Sequence, residues 1–259
     1  MEHIKGIISD MDGVIYAGKD PLPYADSFIS FIEEKGLPYI FLTNGSEKTP
    51  NQLSGRLNSL GLGVIPPEHF ITSSMATARF LASQKPGASV YVIGGPGLVQ
   101  EITKAGLLVT DTSPDYVVVG KTVNFHYIML KKAVNHILHG AKFIGANPDV
   151  LDPVEDGFEP ACGSLLAAVE SASGMKPFIV GKPNTIMMTM ATKKLSLRPE
   201  ETLLIGDRMD TDIIGGIEAG MNTALVLTGV SKNEDISTYP YQPDYVFSSL
   251  QELTETLFR

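Results

Sequence analysis

The sequence predicts an α/β protein built from mostly parallel sheets with helices on both faces. Short apolar runs rich in Ile, Val and Tyr alternate along the chain with longer segments of helical period. Nearly continuous apolar strands are typical of parallel sheets that are buried on both sides. The strand candidates are too many for one twisted open sheet in a chain of 259 residues, so we expect two sheets in two domains.

The strand candidates are short runs that are bounded by turn-forming residues. They are Ile4 to Ser9, Pro38 to Thr43, Phe70 to Thr72, Ser89 to Ile93, Tyr116 to Val119, Lys142 to Gly145, Phe178 to Val180, Thr202 to Ile205, Thr223 to Leu227 and Tyr245 to Phe247. Helix candidates fill nearly every gap between them. They include Ala25 to Glu34, Gln52 to Leu60, Met75 to Ser83, Leu98 to Lys104, Ile128 to Leu138, Leu165 to Ser173, Thr185 to Lys194 and Asp212 to Ala219.

Composition and charge exclude several classes of protein. Apolar residues make up 43% of the chain and charged residues 19%, which is ordinary globular usage. The net charge of −9 disfavours binding to a nucleic-acid polymer or an anionic membrane, although a small anion can still bind at a locally basic point. The single cysteine, Cys162, allows neither an intramolecular disulfide nor a zinc ribbon. We expect a soluble, cytoplasmic protein with neither a signal peptide nor a membrane span.

Two carboxylates follow the first predicted strand. Asp10 and Asp12 stand two residues apart and precede Gly13, which permits a tight turn. Ligands of parallel α/β sheets bind beyond the carboxyl ends of the strands, so this position suits a functional site. A plain turn of Asp and Gly residues explains the same pattern, and the motif alone does not decide between them.

Two further strands end in groups that suit an anion. Thr43 and Asn44 follow the second predicted strand and offer a hydroxyl and an amide, although Asn-Gly is also a common turn. Lys182 follows the strand that begins at Phe178, and Pro183 after it is typical of the first turn of a helix. The lysine would then lie near a helix N-terminus, where anions are already favoured.

The strongest signal is an acidic motif after the strand that begins at Thr202. Asp207 ends this strand, and Asp212 lies five residues further on. If these side chains converge with Asp10 and Asp12, two unit charges about 4 Å apart repel by roughly 4 kcal/mol at an effective dielectric constant near 20. Such a cluster needs a cation, and ligation by oxygen alone favours Mg²⁺ before Ca²⁺ and well before Zn²⁺.

Together these four signals resemble the haloacid-dehalogenase superfamily of phosphatases. That family has Asp-x-Asp at the first strand end, here Asp10 and Asp12, and Ser or Thr at the second, here Thr43. A lysine and a downstream acidic motif follow, here Lys182 and Asp207. The match is specific in residue type and in order.

The chain resembles one subgroup in particular, the NagD-type phosphatases. Three segments of this chain look like motifs of these enzymes. They are Ala-Asn-Pro-Asp at 146–149, Pro-Ala-Cys-Gly-Ser at 160–164 and Thr-Ser-Ser-Met-Ala-Thr-Ala at 72–78. These enzymes carry a large cap domain between the second and third motifs. The resemblance therefore implies a Rossmann-like core at 1–80 and 179–259, with a second, smaller α/β cap domain inserted at 81–178.

The resemblance also implies the roles of the acidic residues. Asp10 would be the nucleophile that forms an aspartyl-phosphate, and Asp12 would be the general acid and base. Mg²⁺ would be held by the carboxylates of Asp10 and Asp207 and by the main-chain carbonyl of Asp12. Asp12 further favours a phosphatase or a phosphomutase over the dehalogenases, which lack this second aspartate. Hydrolysis is favoured because nothing in the sequence shows how a phosphoenzyme would be shielded from water.

The remaining residues would bind phosphate or support the metal site. Thr43 and Lys182 would donate hydrogen bonds to the phosphoryl oxygens, with Asn44 adding a further donor. Asp212 would act indirectly by orienting a metal-bound water or Lys182.

The cap would choose the substrate. Asn147 and Asp149 would face the active site and hydrogen-bond the leaving group, although an ordinary Asx-Pro turn explains the same residues. The resemblance favours nucleoside 5′-monophosphates such as UMP or GMP as substrates. A sugar phosphate, phosphoglycolate, pyridoxal phosphate and p-nitrophenyl phosphate are alternatives, as is a phosphate-binding regulatory protein without turnover. The oligomeric state stays open.

Overall fold

A computed structural model describes residues 3–154 and 157–257 of the chain. The residues divide into two compact units. Of the described residues, the first unit contains 3–43, 50–71 and 183–257, and the second contains 44–49, 72–154 and 157–182. The resemblance implied that residues 44–49, 72–80 and 179–182 belong to the core domain, whereas in the structure they group with the second unit. The outermost ends of the predicted core, at 1–2 and 258–259, lie outside the described residues, as do residues 155–156 of the predicted cap. The role of the second unit as a cap stays a prediction.

The strands and helices alternate along the chain as the hydrophobic pattern indicates. The strands are β1 (Gly6–Ser9), β2 (Tyr16–Ala17), β3 (Asp20–Pro21), β4 (Tyr39–Thr43), β5 (Phe70–Thr72), β6 (Ser89–Ile93), β7 (Leu108–Val109), β8 (Tyr116–Val119), β9 (Lys142–Gly145), β10 (Leu151–Val154), β11 (Gly157–Pro160), β12 (Phe178–Ile179), β13 (Thr202–Gly206), β14 (Asn222–Val226) and β15 (Tyr245–Phe247). The helices are α1 (Ala25–Glu34), α2 (Pro50–Ser59), α3 (Ser73–Gln84), α4 (Pro96–Lys104), α5 (Tyr127–Leu138), α6 (Cys162–Ser173), α7 (Ile186–Leu195), α8 (Ile214–Glu218) and α9 (Leu250–Leu257). Short 3₁₀ segments lie at 67–69, 199–201 and 233–238.

The sheet of the first unit has six strands in the order β15-β14-β13-β1-β4-β5. β1 runs parallel to both of its neighbours, so that Ser9 lies opposite Ile205 of β13 and Phe41 of β4. This register brings the carboxyl ends of three strands that are distant in sequence to one edge of the sheet. Ile7 and Ile8 of β1 have no exposed surface, because helices cover both faces.

The second unit has a parallel sheet of five strands in the order β12-β9-β8-β6-β7. Its core includes Val117 and Val119 of β8 and the α6 residues Leu166 and Val169. The fold is therefore α/β in both units, as the sequence predicts. In the part of the chain that the structure describes, no helix is both long enough and apolar enough to cross a membrane.

One predicted helix differs from the structure. The sequence predicts a helix from Asp212 to Ala219, but residues 209–213 form a π-helical turn and α8 begins only at Ile214. Gly206 lies so close to this turn that a Cβ atom added to it would stand 2.2 Å from the Asp212 Cβ. The wide turn therefore fits tightly against the end of β13, and Asp212 lies within the turn.

The sequence analysis also missed a two-stranded hairpin, β10–β11, in which Asp152 lies opposite Glu159. Lys121 anchors this hairpin, since its Nζ donates to Asp152 Oδ2 and to Glu159 Oε1, each at 2.5 Å. Burial alone would lower the pKa of Lys121, but the two carboxylates outweigh it and the pKa lies above its usual range. The lysine is therefore a charged anchor at neutral pH.

Candidate active site

The loop after β1 positions the first two carboxylates. The Asp10 N–H donates to the Ile205 carbonyl at 2.8 Å, which extends the pairing of β1 with β13 by one residue. The chain then turns sharply, because the Met11 carbonyl accepts the N–H groups of Ile15 at 2.8 Å and of Tyr16 at 3.2 Å. Gly13 has a φ of +78°, a backbone conformation that residues other than glycine rarely adopt. The turn leaves Asp10 buried and Asp12 exposed.

Three buried carboxylates meet at the edge of the first unit's sheet. Asp10, Asp207 and Asp212 each offer a carboxylate oxygen, and these oxygens lie within 4.8 Å of one another. The three residues are 7%, 2% and 0% exposed, respectively. Buried carboxylates this close repel strongly unless a cation neutralises them, and a set of oxygen ligands suits a hard divalent ion. The three side chains therefore fit a hard divalent cation.

The geometry differs from the expected set of metal ligands in the position of Asp212. Asp212 was expected to act indirectly, but its carboxylate lies among the possible ligands themselves. Its Oδ2 accepts the Arg208 N–H at 3.3 Å, which restrains it from the start of the π-helical turn. The Asp12 side chain lies outside this group of oxygens. Coordination by the Asp12 carbonyl stays a prediction from the resemblance.

Asp207 is held in place by its backbone surroundings. Its Oδ2 accepts the Val230 N–H at 2.7 Å. Two glycines leave room for this carboxylate: a Cβ atom added to Gly13 would lie 2.3 Å from Oδ2, and one added to Gly229 would lie 2.0 Å from it. Both distances are far shorter than van der Waals contact. The orientation of Asp207 therefore depends on the absence of side chains at both positions.

Thr43 and Lys182 are both buried, at 5% and 1% exposure, respectively. Thr43 ends β4 in the first unit, and Lys182 belongs to the second unit. Asn44 was expected to bind phosphate, but its side chain contacts the backbone of Lys182. Its Oδ1 accepts the Lys182 N–H at 2.8 Å, and its Nδ2 donates to the Lys182 carbonyl at 3.2 Å. The Asn44 amide thus fixes the chain that presents Lys182, and the phosphate contacts of all three residues stay predictions.

Asn147 also makes internal hydrogen bonds. Its Nδ2 donates to the Asn44 carbonyl at 2.6 Å, and its Oδ1 accepts the Asp149 N–H at 3.1 Å. The residue is only 4% exposed. These bonds give Asn147 a structural role just after the end of β9. Asp149 is half-buried. Contact of either residue with substrate stays a prediction.

Cys162 is the first residue of α6 and has no exposed surface. Burial raises the pKa of its thiol to about 12, and Sγ donates to the Val119 carbonyl at 3.3 Å. A buried thiol that stays protonated at neutral pH is a poor nucleophile. Its burial at the start of α6 indicates a structural role for Cys162.

The sequence analysis missed several residues at this site. Gly229 and Val230 belong to the loop after β14, which ends at the same edge as β13. The rule that ligands bind beyond the strand ends points to this loop, but its residue types carry no acidic or basic signal. Tyr16 contacts Asp12 and reads in the sequence as an ordinary apolar core residue. Only the folded geometry shows these contacts.

Comparisons with known proteins identify the family of the chain. A family model described as haloacid dehalogenase-like hydrolase matches residues 7–108, and a second model of HAD-like hydrolases matches residues 179–253. The chain is 42% identical to ribonucleotide monophosphatase NagD of Escherichia coli, over 96% of this chain and 98% of the relative. It is also 42% identical to a dihydroxyacetone phosphatase of Corynebacterium glutamicum, over 96% and 90%, and 40% identical to an acid sugar phosphatase of Staphylococcus aureus, over 97% of both chains.

Solved structures show the same fold. The structure of E. coli NagD superposes with a TM-score of 0.90, covering 96% of this chain and 98% of that chain at 42% identity. A glycerol phosphate phosphatase of Mycobacterium tuberculosis, solved in complex with magnesium, superposes with a TM-score of 0.91 at 32% identity, covering 97% of this chain and 76% of that one. The family models, the sequence identities over nearly the whole chain and the superposed structures point to the same family. The chain therefore belongs to the haloacid dehalogenase-like hydrolases and, within them, to the NagD-type phosphatases.

Proposed function

We propose that this protein is a Mg²⁺-dependent phosphatase that hydrolyses small phosphomonoesters through an aspartyl-phosphate on Asp10. The observation that carries the proposal is the group of three buried carboxylates, Asp10, Asp207 and Asp212, with oxygens within 4.8 Å of one another. A protein that only bound phosphate would gain nothing from gathering negative charge at its anion site. A phosphatase of this type needs that charge to hold its metal ion.

These three carboxylates would hold Mg²⁺, together with the main-chain carbonyl of Asp12 that the resemblance implies. When bound, the ion supplies positive charge that offsets the repulsion between an anionic nucleophile and an anionic phosphate. The backbone of Asp10 is fixed, because its N–H donates to the Ile205 carbonyl of β13. Its carboxylate is therefore held at the strand end for attack.

Hydrolysis takes place in two steps. An oxygen of Asp10 forms a bond to phosphorus while the ester P–O bond breaks, and Asp12 gives its proton to the leaving oxygen. Water then attacks the phosphorus of the aspartyl-phosphate while Asp12 takes up a proton, which releases phosphate and restores Asp10. Thr43 and Lys182 donate to the non-bridging oxygens in both steps. Asp12 is exposed, as a group that exchanges protons with substrate and water must be.

The Asp10→Asn variant tests the reaction. It removes the nucleophile with little change in volume, so we expect no measurable hydrolysis of p-nitrophenyl phosphate with Mg²⁺ present and an unchanged melting temperature. Asp26→Asn on α1 is the matched control and should retain wild-type turnover, because Asp26 is an exposed residue in the first turn of that helix. Substantial turnover by Asp10→Asn, or wild-type turnover that chelation of divalent ions leaves unchanged, would contradict the proposal.

We further propose that the enzyme is located in the cytoplasm, since the buried Cys162 is compatible with a reducing compartment.

The substrates that we propose are nucleoside 5′-monophosphates. The relative NagD, which is named a ribonucleotide monophosphatase, supports this substrate class. The relatives' names differ in substrate, so a panel is required. It should rank UMP, GMP, sugar phosphates, dihydroxyacetone phosphate, phosphoglycolate and pyridoxal phosphate by kcat/KM. A non-nucleotide that leads by more than about tenfold would overturn the substrate assignment and leave the phosphatase assignment intact.

A further inference from the structure

The loop after β1 brings a tyrosine hydroxyl onto the proposed general acid and base. The Tyr16 hydroxyl donates to Asp12 Oδ2 at 3.2 Å. The backbone supports this contact, because Asp12 and Tyr16 form an isolated β-bridge and the Gly13 N–H donates to the Tyr16 carbonyl at 2.8 Å. The carboxylate and the hydroxyl are thus placed by one tight turn of the chain.

Tyr16 is itself held rigidly. It is 2% exposed, and the guanidinium carbon of Arg56 lies 4.1 Å from the centroid of its ring. An arginine at this distance from a tyrosine ring makes a cation–π interaction. The Arg56 side chain also donates to the Gly18 carbonyl, in the turn that joins β2 to β3. Arg56 therefore fixes both the ring and the hairpin that carries it.

The hydroxyl remains a donor at neutral pH. Burial raises the pKa of the Tyr16 hydroxyl most, and the negative charge of Asp12 raises it further. The positive charge of Arg56 lowers this pKa by a smaller amount, so that it lies well above its ordinary value. Asp12, by contrast, is an exposed side chain. A hydrogen bond from a rigid, buried hydroxyl favours the side-chain conformation of Asp12 in which Oδ2 accepts it.

We propose that Tyr16 is a positioning residue, which holds the Asp12 carboxylate in the orientation needed for proton transfer to the leaving oxygen. This inference rests on the proposed phosphatase function and extends it to a residue that does not touch the substrate. Arg56 acts one step further away by holding the tyrosine ring. Catalysis by a positioned acid or base requires correct geometry as well as the correct protonation state.

This role has a signature that a purely structural role lacks. Phenyl phosphate and p-nitrophenyl phosphate have similar shapes, but phenolate is a much poorer leaving group than nitrophenolate. Departure of phenolate therefore depends more on a proton from Asp12. Loss of the correct Asp12 orientation should lower kcat/KM for phenyl phosphate far more than for p-nitrophenyl phosphate, whereas general damage to the fold lowers both alike.

The test compares Tyr16→Phe with the wild type on both esters in the presence of Mg²⁺. We expect kcat/KM to fall about tenfold or more for phenyl phosphate and less than about threefold for p-nitrophenyl phosphate. Tyr39→Phe is the matched control and should preserve the ratio, because Tyr39 is buried in the same hydrophobic core as Tyr16 but its hydroxyl donates to Glu33 at 2.8 Å. Added to Asp12→Asn, the Tyr16→Phe change should have no further effect on the ratio, since it acts through Asp12.

Equal losses on the two esters, or no loss on either, would overturn the inference. Arg56→Met provides a second measurement that does not remove a buried group, and it should change the ratio in the same direction by a smaller factor. An unchanged ratio in Arg56→Met would contradict the role given to Arg56 and, if Tyr16→Phe does not fold, the role of Tyr16 as well. A wild-type protein that hydrolyses neither ester would instead refute the proposed function itself.

Discussion

The packing around Asp207 makes the proposed metal site sensitive to a single added methyl group. In Gly229→Ala, the added Cβ would lie 2.0 Å from Asp207 Oδ2 and 2.6 Å from Asp207 Cβ, whereas ordinary contact begins near 3.4 Å. The carboxylate must therefore move by about 1.4 Å. Gly229 does not have a positive φ, so alanine fits the backbone there and the strain falls on Asp207.

Such a displacement is several times the tolerance of about 0.2 Å within which metal–ligand distances are held. It also disturbs the 2.7 Å hydrogen bond from the Val230 N–H that orients the carboxylate. Changes to groups that orient a metal ligand typically cost about 10–100-fold in metal affinity or activity. We therefore expect the Mg²⁺ concentration for half-maximal activity of Gly229→Ala to rise by about 10–100-fold.

Isothermal titration calorimetry measures Mg²⁺ binding directly, and hydrolysis of p-nitrophenyl phosphate over a Mg²⁺ series measures its effect. The matched control is Gly55→Ala on α2, where an added Cβ meets nothing within 4 Å. That variant should bind Mg²⁺ like the wild type and melt at the same temperature or slightly higher, because alanine favours a helix. A folded Gly229→Ala protein whose Mg²⁺ affinity stays within about twofold of the wild type would refute the assignment of Asp207 as a ligand.

Two further predictions concern the second unit. Lys121→Met leaves the carboxylates of the β10–β11 hairpin without their cation, and it should lower the free energy of unfolding by about 1–2 kcal/mol in urea titrations. The exposed ion pair of Lys132 with Asp111 is the control, and Lys132→Met should cost less than about 0.5 kcal/mol. The hydrogen bond from Lys85 is the main cause that lowers the pKa of Asp115 from 3.8 to about 2. Because the folded-state pKa is depressed, this stabilisation is present above about pH 4 and is lost as the pH falls toward 2. Asp115→Asn should therefore narrow the difference between the urea midpoints at about pH 6 and about pH 3, and an unchanged difference would contradict the pairing.

The elements that the sequence predicted share a strong local signal. β8 reads as an uninterrupted run of Tyr and Val, and its predicted bounds agree with the structure. The elements that it missed have weak signals. β10 and β11 are two short strands with mostly exposed residues, and β2 and β3 have two residues each. Short exposed strands need neither an apolar run nor regular alternation, because their position depends on contacts elsewhere, as Lys121 shows for the hairpin.

α9 was missed for a different reason. Leu250 and Leu253 are buried at helical spacing, but the polar residues between them resemble a surface segment. Such a short amphipathic helix gains most of its stability from packing rather than from its own sequence. The π-helical turn at 209–213 was missed because a single added residue per turn leaves no mark on hydrophobic periodicity.

By itself, the sequence determined that acidic and phosphate-binding residue types stand at the ends of apolar strands. Strand signals are local, and parallel strands end at a common edge, so Asp10 and Asp207 could be expected to meet although 196 residues lie between them. Only the tertiary structure decided which oxygens converge: it placed Asp212 in the acidic group, directed Asn44 and Asn147 toward backbone groups, and set Tyr16 on Asp12. The physical reason is that residue type limits what a side chain can bind, whereas its partners depend on packing between segments that are distant in the sequence.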